Sequence, residues 1–295
     1  MFSLSSIYLR GVIFLLRAWA RYQLRHIASN LDEVLYIDSR DPLRSIKVHI
    51  YRPIADSLQK PSPVLINFHG SGFVIPAHGS DDSFCRQISH QTHYTVLDVQ
   101  YRLAPEYPFP AAINDAEDIV NWVLGRPIDF DISRVAISGF SAGGNLALAI
   151  SSTILPPKTF SSVLAFYPVV EAFVDPDGPV ALDPNGHPIP SFLMRLFMRC
   201  YVPSGVDPRD PRISPGRADG DSFPRRVLIV TAAFNSLAVE GENLASRLQE
   251  AQGRTVVCER MRRCNHAWDK IAQPGTYEWE MKEHAYSLAK AMLES

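Results

Sequence analysis

Three short stretches hold residues whose types and spacing suit acyl-transfer chemistry. "SGFSAGGNLAL" contains Gly139-Phe140-Ser141-Ala142-Gly143 between the β-rich run "RVAIS" and a helix of small residues. A serine on such a strand-to-helix turn is held in a strained conformation that presents its hydroxyl, and a Cβ at Gly139 or Gly143 would collide with neighbouring backbone. Ser141 is therefore the candidate nucleophile. "NFHGSGFV" ends another apolar run, and its Gly70-Ser71-Gly72 segment lets backbone N–H groups face a cavity. Ser71 and Gly72, with the amide of Ala142, are the expected oxyanion hole; losing one such donor typically costs roughly 3 kcal/mol. His69 is expected to order this loop through a backbone hydrogen bond. "CNHAWDK" supplies His266 after the last β-rich run, in position to act as general base.

A carboxylate should complete this set in the turn "TAAFNSLAVEGE", residues 231–242, but Asn235 stands there. An amide oxygen can hold an imidazole in the tautomer that accepts a serine proton, although it brings no negative charge. If the NH₂ faces His266 instead, the tautomer is wrong. In a serine protease the Asp→Asn change lowers kcat by about 10⁴. Asn235 is the first candidate for the partner of His266. Glu240 on the following helix and Glu171 after the sixth strand are alternatives, whereas Asp269 is close to His266 in sequence only.

The elements that must hold these residues follow from periodicity. "EVLYI" and "SIKVHIY" alternate apolar and polar residues, as an antiparallel pair at a sheet edge would. "PVLINF", "TVLDVQ", "RVAIS", "SVLAFY", "RVLIVT" and "TVVCER" are mostly continuous apolar runs that suit strands buried on both faces of a parallel sheet. Helical patterns lie near 81–92, 110–124, 142–154, 237–252 and 276–293. The alternation specifies a doubly wound α/β domain. It breaks at 171–215, which holds nine of the 23 prolines and one apolar helical patch, "SFLMRLFMRCYV". That segment reads as an insertion over the sheet. Near the N-terminus, Arg10, Arg17, Arg21 and Arg25 share one face of an amphipathic helix. Packing of this helix on its own protein is the favoured reading, and contact with a membrane surface is the lesser one.

Together, HGSGF at 69–73, "YRLAPEYPFPAA" at 101–112, GFSAGGNLA at 139–147 and the late His266 resemble the hormone-sensitive-lipase-like family of carboxylesterases. The likeness runs from about residue 45 to the C-terminus. It implies an α/β-hydrolase fold: an eight-stranded, mostly parallel sheet with helices on both faces and a helical cap. The expected division is an N-terminal cap helix (1–30), a core (31–170 and 216–295) and a cap insertion (171–215). The resemblance also implies that Glu106 and Asp115 are structural. Two departures stand out. The family usually has Asp or Thr where Phe140 stands, and the Asp of its DPL turn is Asn235 here.

The expected activity is hydrolysis of a small to medium apolar or aromatic ester through an acyl-enzyme on Ser141. Phe140, Phe73, Phe192 and Phe197 are the expected substrate pocket. A biosynthetic enzyme performing lactonisation, elimination or cyclisation is the alternative, and a ligand-binding module without turnover is the third. The 29 basic and 31 acidic residues leave no basic field for a nucleic-acid backbone. No metal, nucleotide or flavin motif appears, so the sequence implies no cofactor. Cys85, Cys200, Cys258 and Cys264 fall at no metal-site spacing and read as free thiols of a reducing, cytoplasmic compartment. The expected partner is a small-molecule ester, and a homodimer is compatible with the sequence.

Overall fold

The computed structural model describes residues 4–24, 30–54, 60–173 and 185–295. Eight strands form one sheet: β1 (Glu33–Asp38), β2 (Ser45–Tyr51), β3 (Ser62–Phe68), β4 (Thr95–Val99), β5 (Phe130–Phe140), β6 (Ser162–Phe166), β7 (Arg226–Ala232) and β8 (Thr255–Met261). Their order is β1-β2-β4-β3-β5-β6-β7-β8. β1 and β2 pair antiparallel at the edge, β2 runs antiparallel to β4, and the remaining pairs are parallel. The continuous Val/Ile/Leu runs of β3 to β7 are the inner strands, and every residue of β3, β4 and β6 is buried. "TVVCER" departs from the expectation, since β8 is the far edge strand and only Met261 of it is buried. β5 begins earlier than the apolar run suggests, because Ser62 already pairs with Phe130 ahead of a register shift.

Helices cover both faces. α2 (Asp82–Gln91) and α7 (Tyr277–Glu294) bury Phe84, Ile88, Tyr286 and Met292 against one side. α3 (Ala111–Leu124), α4 (Ala142–Ala149) and α6 (Ala238–Gln249) pack on the other. The long helical pattern after Ser141 is interrupted, since α4 passes at Ile150 into a π-helical turn, Ile150–Ile154. Ser71, Ser141, Asn235 and His266 sit beyond the C-terminal ends of β3, β5, β7 and β8, where an open parallel sheet leaves room for a ligand.

α1 (Leu4–Leu24) packs back on the protein. Ile13 and Ala20 are buried and Leu16 is half-buried, an i, i+3, i+7 stripe. Arg17 lies on this inner face, where its guanidinium donates to the carbonyls of Val74 and Ala104 and to both oxygens of Glu106. The side chains of Arg10 and Arg25 lie outside the described residues. The outer face is apolar, with Phe14, Leu15, Trp19 and Tyr22 exposed. The other structural acid, Asp115, is fully buried and pairs with Arg44 and Arg102. No described helix is long and apolar enough to cross a membrane.

α5 (Ser191–Tyr201) is the apolar helix of the 171–215 segment, of which residues 174–184 lie outside the described residues. Its inward stripe, Met194, Phe197, Cys200 and Tyr201, is buried. Tyr201 stacks on Phe73 at 3.6 Å between ring centroids and accepts the Phe109 N–H on its carbonyl. The proline-rich segment therefore rests on the loops above β3 and β4.

Candidate active site

Ser141 has φ +52° and ψ −114°, a region an L-residue occupies only under strain. Its neighbours enforce that strain. A Cβ on Gly139 would fall 2.2 Å from the Gly143 carbonyl, and one on Gly143 would fall 1.9 Å from the Phe68 oxygen. The strand end, the turn and α4 thus approach too closely for any side chain. The Ser141 N–H donates to Phe166 O at 2.9 Å, fixing the turn to β6. Asn145, one turn into α4, donates to the carbonyls of Val169 and Ile213 and ties the helix to the connections beside it.

The loop after β3 is equally determined. Tyr101 donates to the His69 carbonyl at 2.6 Å, so the Ser71 hydroxyl must donate to the Tyr101 oxygen, 2.7 Å away, while itself accepting the Phe73 N–H. His69 is buried, stacks on Tyr101 and reaches only the Gly70 carbonyl, at 3.2 Å from Nδ1. This is the ordering role expected of it. Gly72 has φ +54°, and Phe197 lies directly over it: a Cβ there would be 2.4 Å from the ring. The N–H groups of Ser71, Gly72 and Ala142 donate to no backbone carbonyl among the described residues.

His266 Nε2 lies 2.9 Å from Ser141 Oγ. On the other side of the ring, Asn235 Nδ2 lies 2.8 Å from Nδ1. The Asn235 carbonyl oxygen accepts the Leu237 N–H at 3.3 Å, which turns the NH₂ toward the imidazole. An aspartate would satisfy both neighbours, because each carboxylate oxygen accepts. An amide satisfies Leu237 only by presenting a donor to His266. The imidazole must then accept at Nδ1 and carry its proton on Nε2, facing the serine. Burial pushes His266 down to about 4, partly offset by the charge of Asp269, so the ring is neutral at physiological pH.

Residues 65–270 match the α/β-hydrolase fold family. The chain belongs to that family. Among curated relatives, the esterase LipI of Mycobacterium tuberculosis is 34% identical over 209 residues, covering 68% of this chain and 64% of the relative. LipN of the same organism, a carboxylic ester hydrolase, is 33% identical over 71% of this chain and 57% of its own. The chain thus spans less than two thirds of either. The carboxylesterase NlhH, also from M. tuberculosis, is 31% identical over 79% of this chain and 76% of the relative. Among solved structures, the metagenomic carboxylesterase EstE1 superposes with a TM-score of 0.82 at 28% identity, covering 96% of this chain and 98% of that one. The Pyrobaculum calidifontis esterase gives 0.80 at 26%, covering 97% and 92%.

Within this α/β-hydrolase the other candidates for the acid are engaged elsewhere. Glu240 accepts the Glu171 N–H, and burial together with the Glu171 charge raises its carboxyl to about 7. Glu171 is paired with Arg217 at 2.8 Å. Asp269 requires a correction, because it is near His266 in space as well as in sequence. It accepts from Tyr167 and Tyr286 at 2.7 and 2.8 Å, and the Tyr167 ring packs edge-on against His266 at 4.7 Å. Lys270 bridges Asp269 and Asp81, at 2.8 Å to each. Nothing in the sequence pattern pointed to this buried ion network.

Three of the expected pocket residues are misplaced. Phe140 is fully buried and stacks on Phe166 at 4.5 Å, with Phe84 edge-on and the Lys270 ammonium 3.5 Å over its ring. It belongs to the core under α2 and α7, so its side chain supports the turn rather than lining a pocket. Phe192 is 67% exposed at the outer start of α5. Phe73 is likewise fully buried, stacked on Tyr201, whereas Phe197 lies directly over Gly72. A cavity of about 920 Å³ lined by Pro157, Phe160, Arg225 and Thr255 sits at the N-terminal ends of β6 to β8, the opposite end of the sheet from Ser141.

Proposed function

We propose that the chain is a serine carboxylic-ester hydrolase that forms an acyl-enzyme on Ser141 with a small to medium apolar or aromatic ester. The observation that carries this reading is the 2.9 Å contact between His266 Nε2 and a serine held at positive φ on a glycine-flanked turn. In the reaction Ser141 Oγ attacks the ester carbonyl and His266 takes its proton. The carbonyl oxygen, now negative, is held by the N–H groups of Ser71, Gly72 and Ala142. His266 then protonates the leaving alcohol, and water repeats the sequence to release the acid. Residues of 1–30 and of the 171–215 segment serve as the cap, with Phe197 above Gly72 presenting apolar surface to the substrate. The free, largely buried thiols suit a reducing, cytoplasmic compartment.

The base step requires the Nδ1–H tautomer, and therefore a rotation of the Asn235 amide that turns its oxygen to His266 and gives up the Leu237 bond. Breaking one neutral hydrogen bond and facing NH₂ to N–H costs about 1–3 kcal/mol. The predicted enzyme is therefore slow on ordinary esters and faster on activated ones. The same amide orientation favours one second reading. With its proton on Nε2, His266 is set to donate, which suits a lactonisation, elimination or cyclisation.

Treatment with a fluorophosphonate probe, followed by a panel of aryl and aliphatic esters with product identification, tests the proposal. Ser141→Ala should abolish both labelling and turnover while leaving the circular dichroism spectrum unchanged. Undiminished turnover in that variant would remove covalent catalysis.

A further inference from the structure

Behind the oxyanion loop, on the antiparallel side of the sheet, three side chains converge that the hydrolytic chemistry does not use. His49 on β2 faces Asp98 on β4, directly opposite it in the strand register. His78 arrives from the loop that follows the oxyanion segment and lays its ring 3.9 Å from that of His49. One ligand atom from each of the three lies within 4.8 Å of the other two. His78 Nε2 is 3.4 Å from Asp98 Oδ2. That separation is what two ligands about 2.0–2.1 Å from a common tetrahedral ion would show.

Two of these atoms are buried without a hydrogen-bond partner: His49 Nδ1, on a residue 7% exposed, and Asp98 Oδ2, on a residue with no exposure. Leaving a buried polar atom unpaired costs about 1–3 kcal/mol, and here two such residues lie in one three-residue cluster. Asp98 Oδ1 is already held by the Asn67 amide at 2.9 Å, which leaves Oδ2 pointing at the histidines. His78 Nε2 otherwise bonds only the Asp98 carbonyl, at 3.0 Å. The charged groups around the cluster are Asp81, Asp82, Lys47 and Lys270.

We propose that His49 Nδ1, His78 Nε2 and Asp98 Oδ2 form a binding site for a divalent transition metal, with Zn²⁺ the best fit to two imidazoles and one carboxylate. His49 Nδ1 has no hydrogen-bond partner to give up, whereas His78 Nε2 donates to the Asp98 carbonyl and must pass its proton to Nδ1 before it can ligate. The ion would replace the His78 bond to the Asp98 carbonyl and clip the 69–79 loop to β2 and β4. Since His69 lies 6.0 Å from the His78 ring, the clip would brace the segment that carries Ser71 and Gly72 without touching the reacting atoms.

The full chain, stripped with chelator and desalted, is titrated with Zn²⁺ and separately with Co²⁺. One equivalent of Zn²⁺ should remain after gel filtration, measured by elemental mass spectrometry. Co²⁺ should give a visible d–d band that Zn²⁺ bleaches, and both ions should raise Tm. His49→Gln and His78→Gln, each checked for native circular dichroism, should lose the band and the retained equivalent. Failure of the wild-type chain to retain metal overturns the proposal. So does retention by either folded variant equal to that of wild type, which would place the ion elsewhere.

Discussion

The nucleophile turn and the Asn235 turn lie on either side of one imidazole, yet they are specified in different ways. At Gly139-Phe140-Ser141-Ala142-Gly143 the backbone permits one solution, because contacts of 1.9–2.2 Å forbid any side chain on the glycines. At Asn235 the fold fixes only a position: a group 2.8 Å from His266 whose other atom meets the Leu237 N–H. Either an amide or a carboxylate fills that position. Steric specification therefore carries its chemistry with it, whereas hydrogen-bond specification leaves protonation and charge open. A triad with correct distances is accordingly not a statement about its basicity.

The comparison breaks most sharply at Gly143. Gly143→Ala should cost more than about 4 kcal/mol, since backbone must move to admit the methyl group, and should yield little folded protein. A folded variant with normal probe labelling would show that the turn is not sterically specified. Asn235→Asp tests the other side. It should fold normally and raise kcat on an aryl ester by at least ~10-fold, or about 1.4 kcal/mol, since both neighbours are then satisfied and the imidazolium gains a counter-charge. The pH profile gives the sign independently. His266 must be neutral to act as base, so wild-type kcat/KM should fall only below about pH 4. A carboxylate at 235 stabilises the protonated ring and should move that limb upward, toward the ordinary histidine value of about 6.5. An unmoved limb would mean that residue 235 does not face His266 in the working enzyme.

The smallest expected effect is at Glu240. Glu240→Gln should leave kcat unchanged, because the carboxyl faces Glu171. Its folded pKa of about 7 is raised above the unfolded value. The stabilisation it gives is therefore full below the unfolded pKa of about 4.3 and is lost as pH rises through 7. Urea unfolding of the wild type should weaken between pH 5 and 8 by on the order of 2 kcal/mol, and the glutamine variant should show no such decline. A large loss of kcat in that variant would make Glu240, not Asn235, the partner of His266.

What was legible in the sequence follows the same division. Strands β3 to β7, the serine turn and the Gly70–Gly72 loop are written locally, as apolar runs and glycine spacing, and the structure has them where the pattern puts them. β8 has the same apolar run but lies at the sheet edge, which no local pattern marks. Phe140 was misjudged as a pocket residue although strand parity held the answer. It shares a face with Ala136, under α2 and α7, while Val135 and Ile137 face the other core. Phe192 likewise falls off the inward stripe of Met194, Phe197 and Tyr201. The Lys270 network and the His49–His78–Asp98 cluster carry no local signal. Their members come from separate elements and meet only once the sheet order is known.

The bridge from Lys270 to Asp269 and Asp81 has a further consequence. Asp81 accepts from Asn67, and Asn67 accepts from Ser138, so the loop bearing His266 is moored through buried polar groups to β3 and β5. From the other side, Asn265 accepts the His187 N–H at 2.7 Å. None of these moorings involves position 235, so the loop that carries the ring is held independently of the residue there. Exchanging asparagine for aspartate at 235 is therefore expected to change the charge beside the imidazole while leaving these moorings of the loop intact.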